Sequence, residues 1–302
     1  MLFDNSNIKV DNLQNQLLDQ LGIELSVLRL DLIHPIISGN KLFKLFYFLQ
    51  DAEKFPHKQI VTFGGAYSNH LVATAYACKL AGVKSIGIVR GEKPVQLSHS
   101  LQNCTEYGMQ LKFICRQLYD QKENIDFQQN LWKEFGDVII IPEGGYHPIG
   151  AKGASLIINH IDKTTTHICC ALGTATTVAG LLSAVKKDQQ IIAVPVLKGL
   201  TDITERISYL INDSRSLDTL QILDDFHFGG YAKYSAELLA FMNDLYEQYQ
   251  LPTDFVYTAK MFFAIFDAIK KQQFPKGSKI VCIHTGGLQG NLSLPANSLI
   301  FG

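Results

Sequence analysis

The chain has 302 residues, enough for two domains that each bury a core. Hydrophobic residues make up 47% and charged residues 18%, which excludes a disordered chain. The 28 acidic and 27 basic residues nearly cancel, so neither nucleic acid nor a membrane surface is expected as a partner. Apolar runs are too short to span a bilayer, and the first residues lack a basic n-region, so we expect no membrane helix and no signal peptide.

Cysteine and histidine spacing excludes several further classes of protein. The six cysteines form no Cys-x-x-Cys pair and have apolar neighbours, so we expect all of them to be reduced and buried, in a cytoplasmic protein. The nine histidines show no metal-binding spacing, and no Gly-x-Ser-x-Gly motif of a hydrolase is present. The cysteines are Cys78, Cys104, Cys115, Cys169, Cys170 and Cys282.

Short apolar runs alternate with longer helical patterns along the chain. Strands are predicted at 59–63, 84–89, 110–115, 137–141, 166–171, 190–197 and 279–284, and helices near 40–53, 69–82, 150–161, 176–187, 235–248 and 258–271. Several strands are apolar at consecutive positions, which is typical of parallel strands covered on both faces. The alternation predicts an α/β fold in which glycine-rich strand ends converge on one crevice.

The first predicted helix begins with an unusual lysine, in the segment Ser38-Gly39-Asn40-Lys41. The positive end of the helix dipole disfavours a cation at that place, and a neutral amine is what Schiff-base chemistry requires. Lys44 lies one turn later and competes for the role. The alternative interpretation is a solvated lysine on an amphipathic helix.

A glycine-rich turn at 64–70 joins the first predicted strand to a helix. Ser68 or Asn69 is expected to cap this helix, which leaves N–H groups that suit a carboxylate or a phosphate. The side chains of Ser68, Asn69 and His70 add further hydrogen-bonding groups. Ordinary helix capping explains the turn equally well.

A second glycine-rich turn, Gly173-Thr174-Ala175-Thr176-Thr177, also precedes a helix. Its N–H groups and hydroxyls suit a phosphate monoester. The turn lacks both the Gly-Lys-Ser/Thr ending and the Gly-x-Gly-x-x-Gly pattern, so the phosphate of a non-nucleotide ligand is favoured. A helix start with β-branched residues is the alternative. Tyr257, Thr258 and Thr285 are further candidate polar groups near strand ends and helix starts.

The joint order and spacing of these motifs resembles the 1-aminocyclopropane-1-carboxylate deaminase and D-cysteine desulfhydrase family, over about residues 28–290. The motifs are Gly39-Asn40-Lys41 with Lys44-Leu45, Gly64-Gly65 with Ser68-Asn69-His70, Gly173-Thr174 with Thr177, Ala179 and Gly180, Val256-Tyr257-Thr258-Ala259-Lys260, and His284-Thr285-Gly286-Gly287. These are pyridoxal-phosphate (PLP) enzymes of fold type II, like the tryptophan-synthase β-subunit.

The resemblance implies an α/β fold of two three-layer open-sheet domains. A large PLP-binding domain would comprise 1–44 and 153–302, and a small inserted α/β domain would comprise 45–152. It also implies a homodimer that acts on a small amino acid.

The resemblance further assigns roles to single residues. Lys41 would be the Schiff-base lysine, and Ser68, Asn69 and His70 would bind the substrate carboxylate, with Ser68 also catalytic and Asn69 also touching the cofactor. The cofactor's phosphate would lie on the 173–177 turn. The two active-site tyrosines would be Tyr231 and Tyr257, and Thr258 and Thr285 would lie near the cofactor.

Substrate choice depends on the position of Thr258, where family deaminases carry a glutamate. A hydroxyl cannot hold an extra proton near the cofactor ring as a carboxylate can. The chain is therefore expected to remove an α-proton through Lys41 and to convert D-cysteine to pyruvate, ammonia and sulfide. The alternative is ring opening of 1-aminocyclopropane-1-carboxylate to 2-oxobutanoate and ammonia.

Other substrates and other classes of protein stay open. Phe43 and the Ala232-Lys233-Tyr234 segment depart from the family pattern, so the identity of the substrate stays open. D-Serine and β-chloroalanine would undergo the same chemistry. A non-catalytic PLP-binding protein and an enzyme that binds a nucleotide or sugar phosphate are the competing classes.

Overall fold

The computed structural model describes residues 7–54, 59–211 and 214–301, with the backbone alone for 214–216. The expectation of no signal peptide depends on the first residues and lies outside this range. A large sheet has the strand order β1-β2-β10-β7-β8-β9. Only β1 runs antiparallel to its neighbour among these described strands. The bounds are β1 Lys9–Leu13, β2 Glu24–Arg29, β7 His167–Leu172, β8 Gln190–Pro195, β9 Leu220–Ile222 and β10 Lys279–His284.

A second, smaller sheet has the order β5-β4-β3-β6, and all its neighbouring strands are parallel. Its strands are β3 Gln59–Gly64, β4 Lys84–Arg90, β5 Gln110–Ile114 and β6 Val138–Ile141. The helices are α1 Gln16–Leu21, α2 Asn40–Glu53, α3 Asn69–Ala81, α4 His99–Glu106, α5 Arg116–Tyr119, α6 Ile125–Phe135, α7 Pro148–Ser155, α8 Thr176–Leu182, α9 Ile203–Leu210, α10 Ala236–Tyr249 and α11 Thr258–Lys270.

Both faces of the large sheet are buried, as the consecutive apolar positions predicted. Along β7, Ile168 and Cys170 pack into one apolar core, and Cys169 and Ala171 pack into a core on the opposite face. Because neighbouring strand residues point to opposite faces, this pattern requires a helical layer on each side. The three-layer α/β prediction is confirmed.

All seven predicted strands are present, with ends shifted by at most two residues. Three strands, β1, β2 and β9, were not predicted, nor were helices α1, α4, α5, α6 and α9. The helix predicted at 150–161 is wrong in its second half, because α7 ends at Ser155 and a 3₁₀ turn follows. The Ser155 hydroxyl donates to the Lys152 carbonyl and competes with helix continuation.

The helix predicted at 176–187 ends at Leu182, five residues early. The Gln189 side chain accepts from the Lys186 N–H and donates to the Thr165 carbonyl. These two hydrogen bonds stabilise a turn where the helix was expected to continue.

The small sheet is built from residues 59–141, which lie inside the segment predicted as an insertion. The large sheet uses strands from both ends of the chain. The division into 1–44 with 153–302 and 45–152 agrees with this arrangement, and its boundaries remain a prediction. In the described residues, no helix is both long and apolar enough to cross a bilayer.

Five of the six cysteines are buried, and none of the six forms a disulfide. The expectation that Cys115 is buried is wrong: it is exposed. It follows β5, which is an edge strand of the small sheet, and precedes the short helix α5.

Helix α7 connects α2 and α8, the two helices that carry Lys41 and the end of the 173–177 turn, through glycine contacts. A Cβ at Gly153 of α7 would lie 2.0 Å from the Phe43 carbonyl oxygen of α2, and one at Gly180 of α8 would lie 2.4 Å from the Ala151 carbonyl oxygen of α7. With a side chain at either glycine, the backbones of the two neighbouring helices could not approach each other so closely. The close packing fixes the start of α2 relative to the start of α8.

Candidate active site

A cavity of about 600 Å³ opens where the strand ends of both sheets face each other. Ligands of open parallel sheets bind at this edge, and small-molecule sites occupy roughly 300–1,000 Å³. All the predicted site residues except Thr258 line the cavity: Lys41, Ser68, Asn69, His70, Gly173, Thr174, Ala175, Thr176, Thr177, Tyr231, Tyr257 and Thr285.

Lys41 lies in the first turn of α2, as predicted. Its Nζ donates to Oδ1 of Asn40 at 2.8 Å, and the Asn40 amide donates to Oγ1 of Thr177 at 2.8 Å. Burial lowers the pKa of Lys41 to about 8, against the opposing attraction of Asp254 and Cys170. A useful fraction of the amine is therefore neutral near physiological pH.

Lys44 is a second buried amine, one turn further along α2 and 5% exposed. Its Nζ donates to the Gly144 carbonyl at 3.2 Å, and a Cβ at Gly144 would lie 2.8 Å from Cγ2 of Thr174. Burial and the charge of Lys41 lower the pKa of Lys44 well below its ordinary value. Lys44 thus lies beside the 173–177 turn, where a bound anion would stabilise its charge.

The turn after β3 brings Ser68 and Asn69 to the cavity wall. A Cβ at Gly64 would lie 2.5 Å from Oγ of Ser68, so the turn requires glycine there. Ser68 is the helix cap: its Oγ accepts from the Leu71 N–H at 3.2 Å, and Asn69 begins α3. The hydroxyl, the amide and the first N–H groups of α3 can therefore bind a carboxylate.

His70 is buried, and its Nε2 lies 2.8 Å from Oγ1 of Thr62. Because the Thr62 hydroxyl donates to the Ile141 carbonyl, it accepts from Nε2, and the neutral ring carries its proton there. Burial, with repulsion from Lys41 and Lys44, lowers the pKa of His70 to about 3. The one N–H of the neutral ring is bound to Thr62, so the backbone N–H of His70 is the donor that it can offer to a substrate carboxylate, and its assignment to that carboxylate stays a prediction.

The 173–177 turn forms a cradle at the start of α8. No side chain caps this helix, so its first N–H groups remain available to an anion. Ala175 adopts a left-handed conformation with φ 65°, and the hydroxyls of Thr174 and Thr176 lie 3.0 Å apart. A Cβ at Gly173 would lie 3.2 Å from Cε1 of Tyr257, which explains the glycine.

Tyr231 and Tyr257 meet edge to face, with ring centroids 6.1 Å apart. Burial raises the pKa of Tyr257 well above its ordinary value, and a hydrogen bond to Tyr231 adds to the effect. Burial also raises the pKa of Tyr231, although its hydrogen bond from Tyr257 opposes the shift. Both phenols therefore keep their protons at neutral pH. Because Tyr257 donates to Tyr231, the phenol that is free to donate to a ligand is that of Tyr231, which is 52% exposed.

Thr258 does not reach the cavity. It is fully buried, and its hydroxyl accepts from the Asp254 N–H at 2.8 Å and donates to Oδ1 of Asp254 at 2.9 Å. The Asp254 carboxylate also accepts the N–H groups of Val256, Tyr257 and Thr258, so it caps α11. Of the two threonines expected near the cofactor, Thr258 and Thr285, only Thr285 lines the cavity.

Sequence reasoning missed four residues of this site. Asn40 joins Lys41 to the cradle, and its only signal was its place between Gly39 and Lys41. Asp254 could have been recognised as a helix-cap residue three positions before Tyr257. Arg90 and Glu143 line the cavity after β4 and β6, and exposed charges at strand ends carry no distinguishing pattern.

The family of the chain follows from its sequence as a whole. A family described as pyridoxal-phosphate dependent enzyme matches residues 9–286, most of the chain. The chain belongs to this family. It is therefore a PLP-dependent enzyme, and the cofactor, fold type and enzyme class predicted from the sequence are confirmed.

Individual relatives divide between two activities. A Pyrococcus horikoshii protein with the provisional name 1-aminocyclopropane-1-carboxylate deaminase is 28% identical over 90% of this chain and 86% of its own. A Serratia proteamaculans protein named D-cysteine desulfhydrase is 26% identical over 90% of this chain and 89% of its own. A solved structure described as an ACC deaminase homologue has a TM-score of 0.79 and 27% identity, covering 94% of this chain and 90% of its own.

The residues of the cavity fit PLP. The cofactor needs an amine for covalent attachment and a phosphate site, and the cavity holds two buried amines and an uncapped helix start. The side-chain amide of Asn40 connects the two features directly, since it bonds to both Lys41 and Thr177. The volume also exceeds what the cofactor alone needs and leaves room for a small substrate.

The pKa of Lys41 predicts how its reaction with PLP depends on pH. Since only the neutral amine is a nucleophile, the rate of covalent capture by cofactor-free protein should rise about tenfold per pH unit below pH 8 and level off above it. Stopped-flow absorbance between pH 6 and 10 measures this rate. A rate still rising tenfold per unit above pH 9 would show that the amine keeps an ordinary lysine pKa.

Proposed function

We propose that the protein is a deaminating lyase of the D-cysteine desulfhydrase type, which converts D-cysteine and water to pyruvate, ammonia and sulfide. The observation that carries the proposal is the chemistry of the cavity wall near Tyr257 and Thr285. That wall offers hydroxyl groups, and the one carboxylate among the described lining residues, Glu143, follows β6 of the other sheet. Glu143 is already paired with Lys122 at 3.6 Å.

Ring opening of a cyclopropane needs a stronger electron sink than removal of an α-proton. A carboxylate beside the cofactor ring would strengthen the sink by holding a proton there. Asp254 cannot take this part, because three N–H groups and a hydroxyl already bind its carboxylate and it does not line the cavity. This arrangement favours α-proton chemistry.

The residues that would hold the cofactor are those of the cavity wall. Lys41 would be attached to it, the 173–177 cradle and Lys44 would bind its phosphate, and Asn69 and Thr285 would touch its ring. When bound, the cofactor supplies an electron sink for the bonds at the substrate α-carbon.

Lys41 would then act as the base. Its amine, with a pKa lowered to about 8 by burial, can accept the α-proton near neutral pH. Asn40 holds the amine in place from one side. Ser68, Asn69 and the first N–H groups of α3 would bind the substrate carboxylate and so fix the orientation of the α-hydrogen.

The tyrosine pair would assist the departure of the sulfur from the β-carbon. Both phenols stay protonated at neutral pH, because burial raises the pKa of each. A thiolate that leaves the β-carbon needs a proton or a strong hydrogen bond, and Tyr231 can donate either while Tyr257 donates to the Tyr231 oxygen. We expect Tyr231→Phe to lower kcat more than it changes KM.

The test is an assay of purified, PLP-loaded protein with D-cysteine, L-cysteine and 1-aminocyclopropane-1-carboxylate, each in a separate reaction. We expect sulfide and pyruvate in equal amounts from D-cysteine and no 2-oxobutanoate from the cyclopropane acid. Production of 2-oxobutanoate without sulfide would overturn the proposal in favour of deamination. Cofactor binding without turnover of any small amino acid would indicate a non-catalytic binding protein.

Two finer expectations are a homodimer, which the family resemblance supports, and a cytoplasmic location, which the six unpaired cysteines support. Light scattering on the eluate of a size-exclusion column would test the first. A mass of one chain, 33.7 kDa, would contradict it.

A further inference from the structure

A buried lysine remains that the proposed chemistry does not use. Lys260 lies on α11, one turn after Tyr257, and is 0% exposed. Its Nζ donates to the carbonyl oxygen of His227 at 2.8 Å and to that of Gly230 at 2.7 Å. Burying an ammonium is costly because it loses its hydration. An apolar residue would avoid this cost, so what the lysine contributes lies in its two hydrogen bonds.

What Lys260 holds is the segment that carries Tyr231. Residues 223–235 contain no helix or strand. Three successive residues of this segment have positive φ, Phe228 at 50°, Gly229 at 90° and Gly230 at 117°. Two turn hydrogen bonds hold it from within, from the Gly230 N–H to the His227 carbonyl at 2.9 Å and from the Lys233 N–H to the Gly230 carbonyl at 3.2 Å. The positive φ values still strain the backbone, and Lys260 binds the same two carbonyls from outside the segment.

Helix α11 supplies that support at two points. The Lys260 ammonium binds the carbonyls on either side of the positive-φ turn, and the ring of Phe263, one turn further on, meets the ring of Phe228 edge to face at 5.0 Å. Tyr231 follows immediately. The same helix begins beside Tyr257, so α11 fixes both members of the tyrosine pair.

We propose that Lys260 is a positioning residue that holds Tyr231 against Tyr257 at the mouth of the cavity. It acts through the backbone of residues 227–230 and touches neither substrate nor cofactor. The inference rests on the proposed function, because it matters for turnover only if Tyr231 acts on the substrate.

A double-mutant cycle on the PLP-loaded enzyme tests this. We expect Lys260→Met to lower kcat by about 10- to 100-fold with little change in KM for D-cysteine, because a catalytic group shifted by 1 Å loses up to about 100-fold. In the Tyr231→Phe background, Lys260→Met should cause no further loss, since the hydroxyl it positions is already absent. Lys270→Met, an exposed lysine of the same helix, is the matched control and should leave kcat unchanged.

The outcomes separate the inference from the proposed function. Multiplicative losses in the double variant, or an unchanged kcat in Lys260→Met, would overturn the positioning role while leaving the lyase proposal intact. An unchanged kcat in Tyr231→Phe alone would overturn the role of Tyr231, and the inference would fall with it.

A second measurement does not depend on activity. Amide hydrogen exchange followed by mass spectrometry should show faster exchange in residues 227–235 of Lys260→Gln than in the parent enzyme, with the rest of α11 unchanged. Lys260→Arg, which keeps a charged donor, should recover part of the protection. Equal exchange in the parent and Lys260→Gln would contradict the inference, and it can be read even if Lys260→Met does not fold.

Discussion

Lys41→Ala is expected to lower turnover by about 10⁴-fold or more and to leave the fold intact. The substitution removes both the point of covalent attachment and the base that accepts the α-proton, and each function alone is worth orders of magnitude in rate. Stability should hardly fall, because the Lys41 amine is buried at a cost and its hydrogen-bond partner, Asn40, keeps its bond to Thr177. Steady-state sulfide production and thermal unfolding measure the two effects.

Lys44→Ala is the matched comparison, because Lys44 lies on the same helix and also lines the cavity. We expect it to weaken PLP binding through the loss of a phosphate contact, with part of the turnover recovered at saturating PLP. Borohydride reduction of the PLP-loaded parent enzyme, followed by peptide mapping, should place the label on Lys41. A label on Lys44 would reverse the two assignments.

The fold could be predicted largely because its buried strands are continuous apolar runs. β7 and β10 have no polar residue to interrupt the pattern until the strand ends, so their positions were read within a residue. β1, with the sequence Lys-Val-Asp-Asn-Leu, is mostly exposed and forms the antiparallel edge of the large sheet. It is held by pairing with β2, by the Asp11–Arg29 ion pair and by burial of Leu13, none of which a reading of local pattern can detect.

The candidate site was predictable where a backbone feature demands a residue type. Gly64 must be glycine because a Cβ would strike Ser68, and a Cβ at Gly173 would press on the ring of Tyr257, so both positions left a visible motif. Thr258 was expected near the cofactor because of its place beside Tyr257. In the structure its hydroxyl donates to Asp254 instead. This contact arises because the Asp254 carboxylate, four residues earlier, also binds the N–H groups at the start of α11.

Residues whose role depends on long-range contacts could not be found from the sequence. Lys260 donates to carbonyls 30 and 33 residues earlier in the chain, and nothing in its neighbourhood on α11 predicts them. His70 was assigned to the substrate carboxylate by the family resemblance, and that role stays a prediction. Its contact with Thr62, which binds the one N–H of the ring, could not be read from the sequence.

Gly39→Ala is expected to destabilise the protein by about 4 kcal/mol or more and to abolish PLP binding. Gly39 has φ 74° and ψ −152°, a conformation open essentially to glycine alone. A Cβ there would lie 1.8 Å from the Thr285 carbonyl oxygen, which accepts the Asn40 N–H at 3.3 Å. The start of α2 would have to move away from the 284–287 segment, and Lys41 would move with it.

Gly82→Ala is the control for this clash, because it measures the loss of stability caused by a positive φ alone. Gly82 ends α3 in a left-handed conformation with φ 66°, and nothing lies within 4 Å of where its Cβ would be. It should lose only about 1–2 kcal/mol and keep PLP binding. Denaturant unfolding and PLP titration of both variants give the comparison. If Gly39→Ala lost no more stability than Gly82→Ala and still bound PLP, the close approach of Gly39 to Thr285 could not be what places Lys41 in the cavity.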